Sequence, residues 1–160
     1  MVAGVAMSEG RRPSAAEAPL FRFRTPIEVR FRDLDALGHV NNAVYLTYFE
    51  VARSAYFIAV SGRPYRVEDF AIVIAEASCR YRSPAFYGER LSAEVATTNL
   101  RSRSFELAYR ILTEDNGRLV AEGHTVQVAY DHQTRRTTVL PPEFRRAIEA
   151  FEGRPVARHS

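Results

Sequence analysis

Asp33-Leu34-Asp35-Ala36-Leu37-Gly38-His39-Val40-Asn41-Asn42-Ala43-Val44-Tyr45-Leu46-Thr47-Tyr48-Phe49-Glu50 packs carboxylate, imidazole, two carboxamides and a glycine into one junction between a strand and a helix. The segment before it, Ile27-Glu28-Val29-Arg30-Phe31-Arg32, alternates apolar and charged residues with period two, the pattern of a half-buried strand. Asp35 is thereby placed just past a strand end. The segment after it carries two adjacent apolar rows at helical spacing, Val44/Tyr48/Val51/Ala55/Ile58 and Tyr45/Phe49/Ala52/Tyr56/Ala59. Rows that broad predict a long central helix, ending near Ser61-Gly62, with a wide buried stripe in place of a surface helix's narrow one. Polar side chains this dense between two such elements point to a site that acts on a ligand.

Working outward, Arg63 to Asp69 reads as a loop, and Phe70 to Arg82 as a long strand, apolar on both faces at first and alternating later. Ser83-Pro84-Ala85-Phe86-Tyr87-Gly88 makes a turn. Leu91/Ala93/Val95/Thr97 and Phe105/Leu107/Tyr109/Ile111 then recur every second residue, each set predicting one face of a strand. Asp115-Asn116-Gly117 supplies residues tolerant of positive φ for a hairpin, Leu119 to Tyr130 continues in strand pattern, and Thr137-Thr138-Val139 closes the meander. Pro141-Pro142 stops it, and Phe144/Ala147/Ile148/Phe151 form one face of a short terminal helix. The economical burial for one long helix among five or six mostly antiparallel strands is a curved sheet wrapped around that helix, an α+β architecture. Its edge strands and helix ends call for cover, and dimerisation is the simplest cover.

Length and composition narrow the function classes. The 160 residues, 46% of them hydrophobic, suit one globular domain. We expect a mobile tail at residues 1–24, a single domain at 25–152 and a polar tail at 153–160. The apolar run Val2 to Met7 is too short for a signal peptide and lacks a basic leader, with Met7 as an alternative start. No stretch approaches the ~18 apolar residues of a membrane span. The net charge of +3 is concentrated in the first 25 residues, which hold four Arg and two acids and leave 18 Arg against 17 acids beyond. A nearly neutral body argues against nucleic-acid binding. All 22 basic residues are Arg, so Schiff-base, pyridoxal-phosphate and phosphate-loop lysine chemistry is excluded. The lone Cys79 rules out an intrachain disulfide and a multi-cysteine zinc site, reads as a core thiol, and fits a cytoplasmic protein.

The pattern Asp35-x-x-Gly38-His39-Val40-Asn41-Asn42 followed by an aromatic helix resembles the hotdog-fold acyl-CoA thioesterases, in the 4-hydroxybenzoyl-CoA thioesterase-like family. The resemblance covers roughly residues 25 to 140. It implies the hotdog fold, hydrolysis of an acyl-CoA or acyl-carrier-protein thioester without metal or other cofactor, and a homodimer or tetramer with the site at a subunit interface. The motif is also similar to that of plant acyl-carrier-protein thioesterases, but their catalytic Asn falls on Leu37, a departure from the plant-type mechanism that leaves the Asp-centred one intact.

Thioester hydrolysis needs a group that activates water and donors where negative charge gathers on oxygen. Asp35 is the candidate for the first, as general base or as nucleophile, against the plainer role of an Asp bonded to turn amides. The resemblance places the carbonyl-polarising backbone N–H at Asn42, and Gly38 lets the backbone turn closely around substrate. His39 either orients Asp35 or packs at the helix end, and Asn41 either meets substrate or caps the helix. Tyr45 and Tyr48 are candidates for the acyl site and Arg82 for the CoA phosphates. Asp33 is the fallback base, and Glu50 pairs with Arg53 or serves as a second carboxylate. No residue set suggests a metal site. The rivals are a hotdog hydratase acting on enoyl or hydroxyacyl thioesters and a non-catalytic binding module for acyl-CoA or acyl-carrier protein. No Gly-x-Ser-x-Gly elbow is present.

Overall fold

The computed structural model describes residues 21–64 and 71–156. The expected tail up to residue 20, most of the loop after the central helix, Phe70 and the last four residues lie outside them. The elements are β1 (Phe23–Glu28), a 3-10 turn (Phe31–Asp33), α1 (Val44–Ser61), β2 (Ile72–Tyr81), β3 (Arg90–Leu100), β4 (Ser104–Thr113), β5 (Leu119–Asp131), β6 (Arg136–Thr137) and α2 (Pro142–Glu152). The sheet runs in the order β1-β3-β4-β5-β2, every pair antiparallel, with the two-residue β6 on β5. It is the curved sheet around one long helix expected from the sequence.

The inward face of β4 follows the alternation: Phe105, Leu107, Tyr109 and Ile111 are buried. Phe49 of α1 stacks on Tyr109 with ring centroids 4.5 Å apart, and Gly123 of β5, the cross-strand partner of Tyr109, also lies against Phe49. A ring and a bare backbone thus let helix and sheet approach closely. At the far end, α2 opens on Pro142 and closes on the left-handed Gly153. Its last residue, Glu152, is buried and accepts hydrogen bonds from the Tyr56 hydroxyl and the Thr97 N–H, both at 2.7 Å. That contact fixes α2 at the point where β3 slips register, between Thr97 and Asn99.

Four expectations change. β1 starts at Phe23, whose ring meets Tyr56 and Phe151, and Val156 is buried, so the packed body extends past both ends of 25–152. The strand expected to reach Arg32 stops at Glu28, because the chain turns into the 3-10 segment to bury Asp33. The buried face of α1 is Tyr45, Tyr48, Phe49, Ala52, Tyr56, Phe57 and Val60, leaving Val51 and Ile58 of the first row exposed. β2 is half exposed throughout because it is a sheet edge; Ile74, apolar in sequence, faces solvent.

Candidate functional site

The loop between β1 and α1 is built on Asp33. Its carboxylate accepts hydrogen bonds from the Arg30 backbone N–H at 2.9 Å, the Arg30 guanidinium at 2.8 Å and the Tyr48 hydroxyl at 3.0 Å. Burial alone would raise this carboxyl; the bonds from Arg30 and Tyr48 outweigh it and hold Asp33 below the usual carboxylate range. Burial and the bond to Asp33 push the Tyr48 hydroxyl up. Both residues are bonded into the scaffold, so Asp33 is not a free base, and the buried Tyr48 does not line the cleft that opens between this loop and α1.

Above this anchor the chain reverses twice. The Gly38 N–H donates to the Asp35 carbonyl at 3.0 Å and the Asp35 N–H to the His39 carbonyl at 2.9 Å, a tight turn that Gly38 completes at φ +81°. The Val40 N–H then donates to the Ala85 carbonyl, and His39 pairs with Phe86 in a single bridge. Arg118 holds the 83–89 loop through the Ser83 hydroxyl, the Pro84 carbonyl and Glu89.

Between these loops and α1 opens a cleft of about 360 Å³, lined by Asp35, His39, Asn42 and Tyr45 and by Tyr81, Arg82 and Pro84. One Asp35 carboxylate oxygen accepts the Leu37 N–H at 2.8 Å, and the other lies 3.5 Å from His39 Nδ1. At the mouth of α1, Asn41 takes up two donors: its side-chain oxygen accepts the Ala43 N–H and its carbonyl the Val44 N–H. The Asn42 N–H, one residue before these two donors, has no acceptor among the described residues. Burial pushes the Tyr45 hydroxyl up to about 12, so at neutral pH it is a protonated phenol. Arg82 pairs with Glu122 of β5.

Of the residues singled out in the sequence, Asp35, His39, Asn42, Tyr45 and Arg82 meet in one cleft. Gly38 shapes its turn, Asn41 caps the helix and Glu50 is exposed on α1. Tyr81 and Pro84 escaped the sequence reading. The alternation that sets Cys79 and Tyr81 on one face was the available signal, but the distance between β2 and the α1 mouth is not visible in it. Burial raises the pKa of the half-buried Cys79 thiol, in keeping with a core role.

A larger cleft of about 540 Å³ lies on the opposite sheet face, lined by Arg80, Arg110, Glu122 and His124 among others. Here His124 bonds Ser78 at 2.6 Å and Glu76 at 2.9 Å, partners the sequence did not reveal. The serine sits within a strand and not on the sharp strand-to-helix turn that exposes a hydrolase nucleophile, and Glu76 is largely exposed. Among the described residues no group of three or more His, Cys, Asp or Glu is arranged to hold a metal ion, and no helix is long and apolar enough to cross a membrane.

A family model described as the thioesterase-like superfamily matches residues 29–148. The long-chain acyl-CoA thioesterase FadM of Escherichia coli K12 is 31% identical over 127 residues, which cover 79% of this chain and 96% of that protein. The 1,4-dihydroxy-2-naphthoyl-CoA hydrolase of Crocosphaera subtropica is 29% identical over 70% of this chain and 85% of its own. Among solved structures, a thioesterase from Thermus thermophilus, complexed with coenzyme A and Zn, matches with a TM-score of 0.76 at 38% identity, over 85% of this chain and 98% of that one.

Proposed function

Because the chain belongs to the thioesterase-like superfamily, we infer that it is a thioester hydrolase, cleaving acyl-CoA to free acid and thiol in the cleft beside Asp35. The observation that carries this reading is the spare Asn42 N–H at the mouth of α1, in the same cleft as the Asp35 carboxylate. The thioester carbonyl oxygen accepts the Asn42 N–H, with the positive end of the α1 dipole behind it. Asp35 takes a proton from water as the water oxygen attacks the carbonyl carbon; the C–S bond then breaks and the thiolate leaves to take up a proton. His39 orients the carboxylate, Tyr45 walls the acyl group, and Arg82 faces the CoA phosphates. An acyl-carrier-protein thioester presents the same reacting atoms and is the second proposed substrate.

A homodimer is proposed, with β2 as the element to be covered: it is a ten-residue sheet edge with Ile74 exposed. A reducing, cytoplasmic location is proposed, in keeping with a single unpaired cysteine.

Incubation with a graded panel of aliphatic and aromatic acyl-CoAs, with free thiol followed by a chromogenic reagent, tests the reaction. Thiol release on at least one member is expected. Hydration of an enoyl-CoA without thiol release, or saturable binding without turnover across the panel, would replace this reading with one of its rivals.

A further inference from the structure

Tyr81, the last residue of the edge strand β2, lines the cleft and donates its hydroxyl hydrogen to the Asn42 carbonyl at 3.0 Å. Its ring stands edge-on to Tyr45, centroids 5.4 Å apart. The backbone behind it is anchored: Tyr81 pairs with Ala121 of β5, and the Arg82 and Ser83 N–H groups both donate to the Val120 carbonyl. A strand tied to the sheet therefore holds, through one side chain, the residue whose N–H is the spare donor of the site. Asn41 caps the Ala43 and Val44 amides that follow, and the Asn42 carbonyl is held by Tyr81.

We propose that Tyr81 is a positioning residue for thioester hydrolysis: its hydroxyl restrains Asn42 so that the N–H meets the developing oxyanion, and its ring extends the acyl wall beside Tyr45. The inference rests on the reading of this cleft as the thioester site. A donor must be aimed at where charge develops, and small misplacement is costly in rate while ground-state binding is little changed. The two parts of the side chain thus have separable effects. The hydroxyl acts on turnover; the ring, half exposed at the mouth, acts on substrate binding.

Steady-state kinetics of Tyr81→Phe, Tyr81→Leu and Asp35→Asn on the best acyl-CoA of the panel separate them, with thermal unfolding as the control for folding. Tyr81→Phe is expected to lower kcat about tenfold with KM within about twofold of the parent, a fraction of the loss from deleting an oxyanion donor outright. Tyr81→Leu is expected to lower kcat similarly and to raise KM several-fold as well. Parental kcat in Tyr81→Phe, with Asp35→Asn inactive, overturns this inference and leaves the thioesterase reading standing. A parent that releases no thiol from any thioester overturns both.

Discussion

Asp35 and His39 face each other across one tight turn, carboxylate oxygen to ring Nδ1 at 3.5 Å, while the second carboxylate oxygen is held by the Leu37 N–H. The turn bond holds one carboxylate oxygen, and the imidazole adds a weaker orienting contact to the other, longer than a good hydrogen bond. His39→Ala should therefore lower kcat by only about tenfold, well short of the 10²–10⁴ of a general base. Comparing kcat of the variant with that of the parent on one acyl-CoA checks this; a loss as large as that of Asp35→Asn would make His39 an equal partner in the proton transfer.

The Asp33 network carries a pH dependence of stability. Its carboxyl titrates in the folded protein below the ordinary value of 3.8, so its contribution is full above that value and is lost as pH falls through the folded pKa. Asp33→Asn should unfold more easily at neutral pH, by about 1–3 kcal/mol, and lose part of the parent's additional destabilisation in acid. Urea midpoints from pH 7 down to pH 3 measure both effects.

Gly38 has open space where a Cβ would stand, so substitution there acts through the backbone alone. At φ +81° the cost of Gly38→Ala is about 1–2 kcal/mol, and Gly38→Asn should cost less because Asn tolerates the left-handed region. Chemical denaturation with an unchanged m value is the check.

Gly123 is the opposite case. A Cβ there would press on the Ser78 carbonyl and come within 2.7 Å of the Phe49 ring, which is itself stacked on Tyr109. Relief requires moving β2 or α1, so Gly123→Ala is expected to destabilise by about 3 kcal/mol, at the upper end for overpacking. A melting temperature equal to the parent's would mean that helix and sheet are less closely packed than described.

Features governed by local period and turn chemistry were legible in the sequence. The alternation of Phe105 to Ile111, the Asn116-Gly117 turn, the Gly62 helix stop and the polar junction at Asp35 each state their structure within a few residues. What was missed depends on contacts between distant segments. Val51 and Ile58 read as core because helical spacing cannot tell which way a broad stripe faces, and the start of β2 read as apolar on both faces because nothing local marks a strand as a sheet edge. The roles of Tyr48 and Tyr81 turn on single hydroxyl bonds to partners 15 and 39 residues away, beyond the reach of any periodicity.

The central claim is that Asp35 activates the water that cleaves the thioester. The most direct test is kcat for thiol release by Asp35→Asn, on the acyl-CoA the parent cleaves best, in protein shown by its unfolding curve to be folded. The substitution keeps the side chain's size and a turn-bonding oxygen while removing the base, and kcat is expected to fall at least 100-fold, roughly the lower bound for losing general-base catalysis. Turnover within a few-fold of the parent would contradict the account and move the chemistry away from this carboxylate.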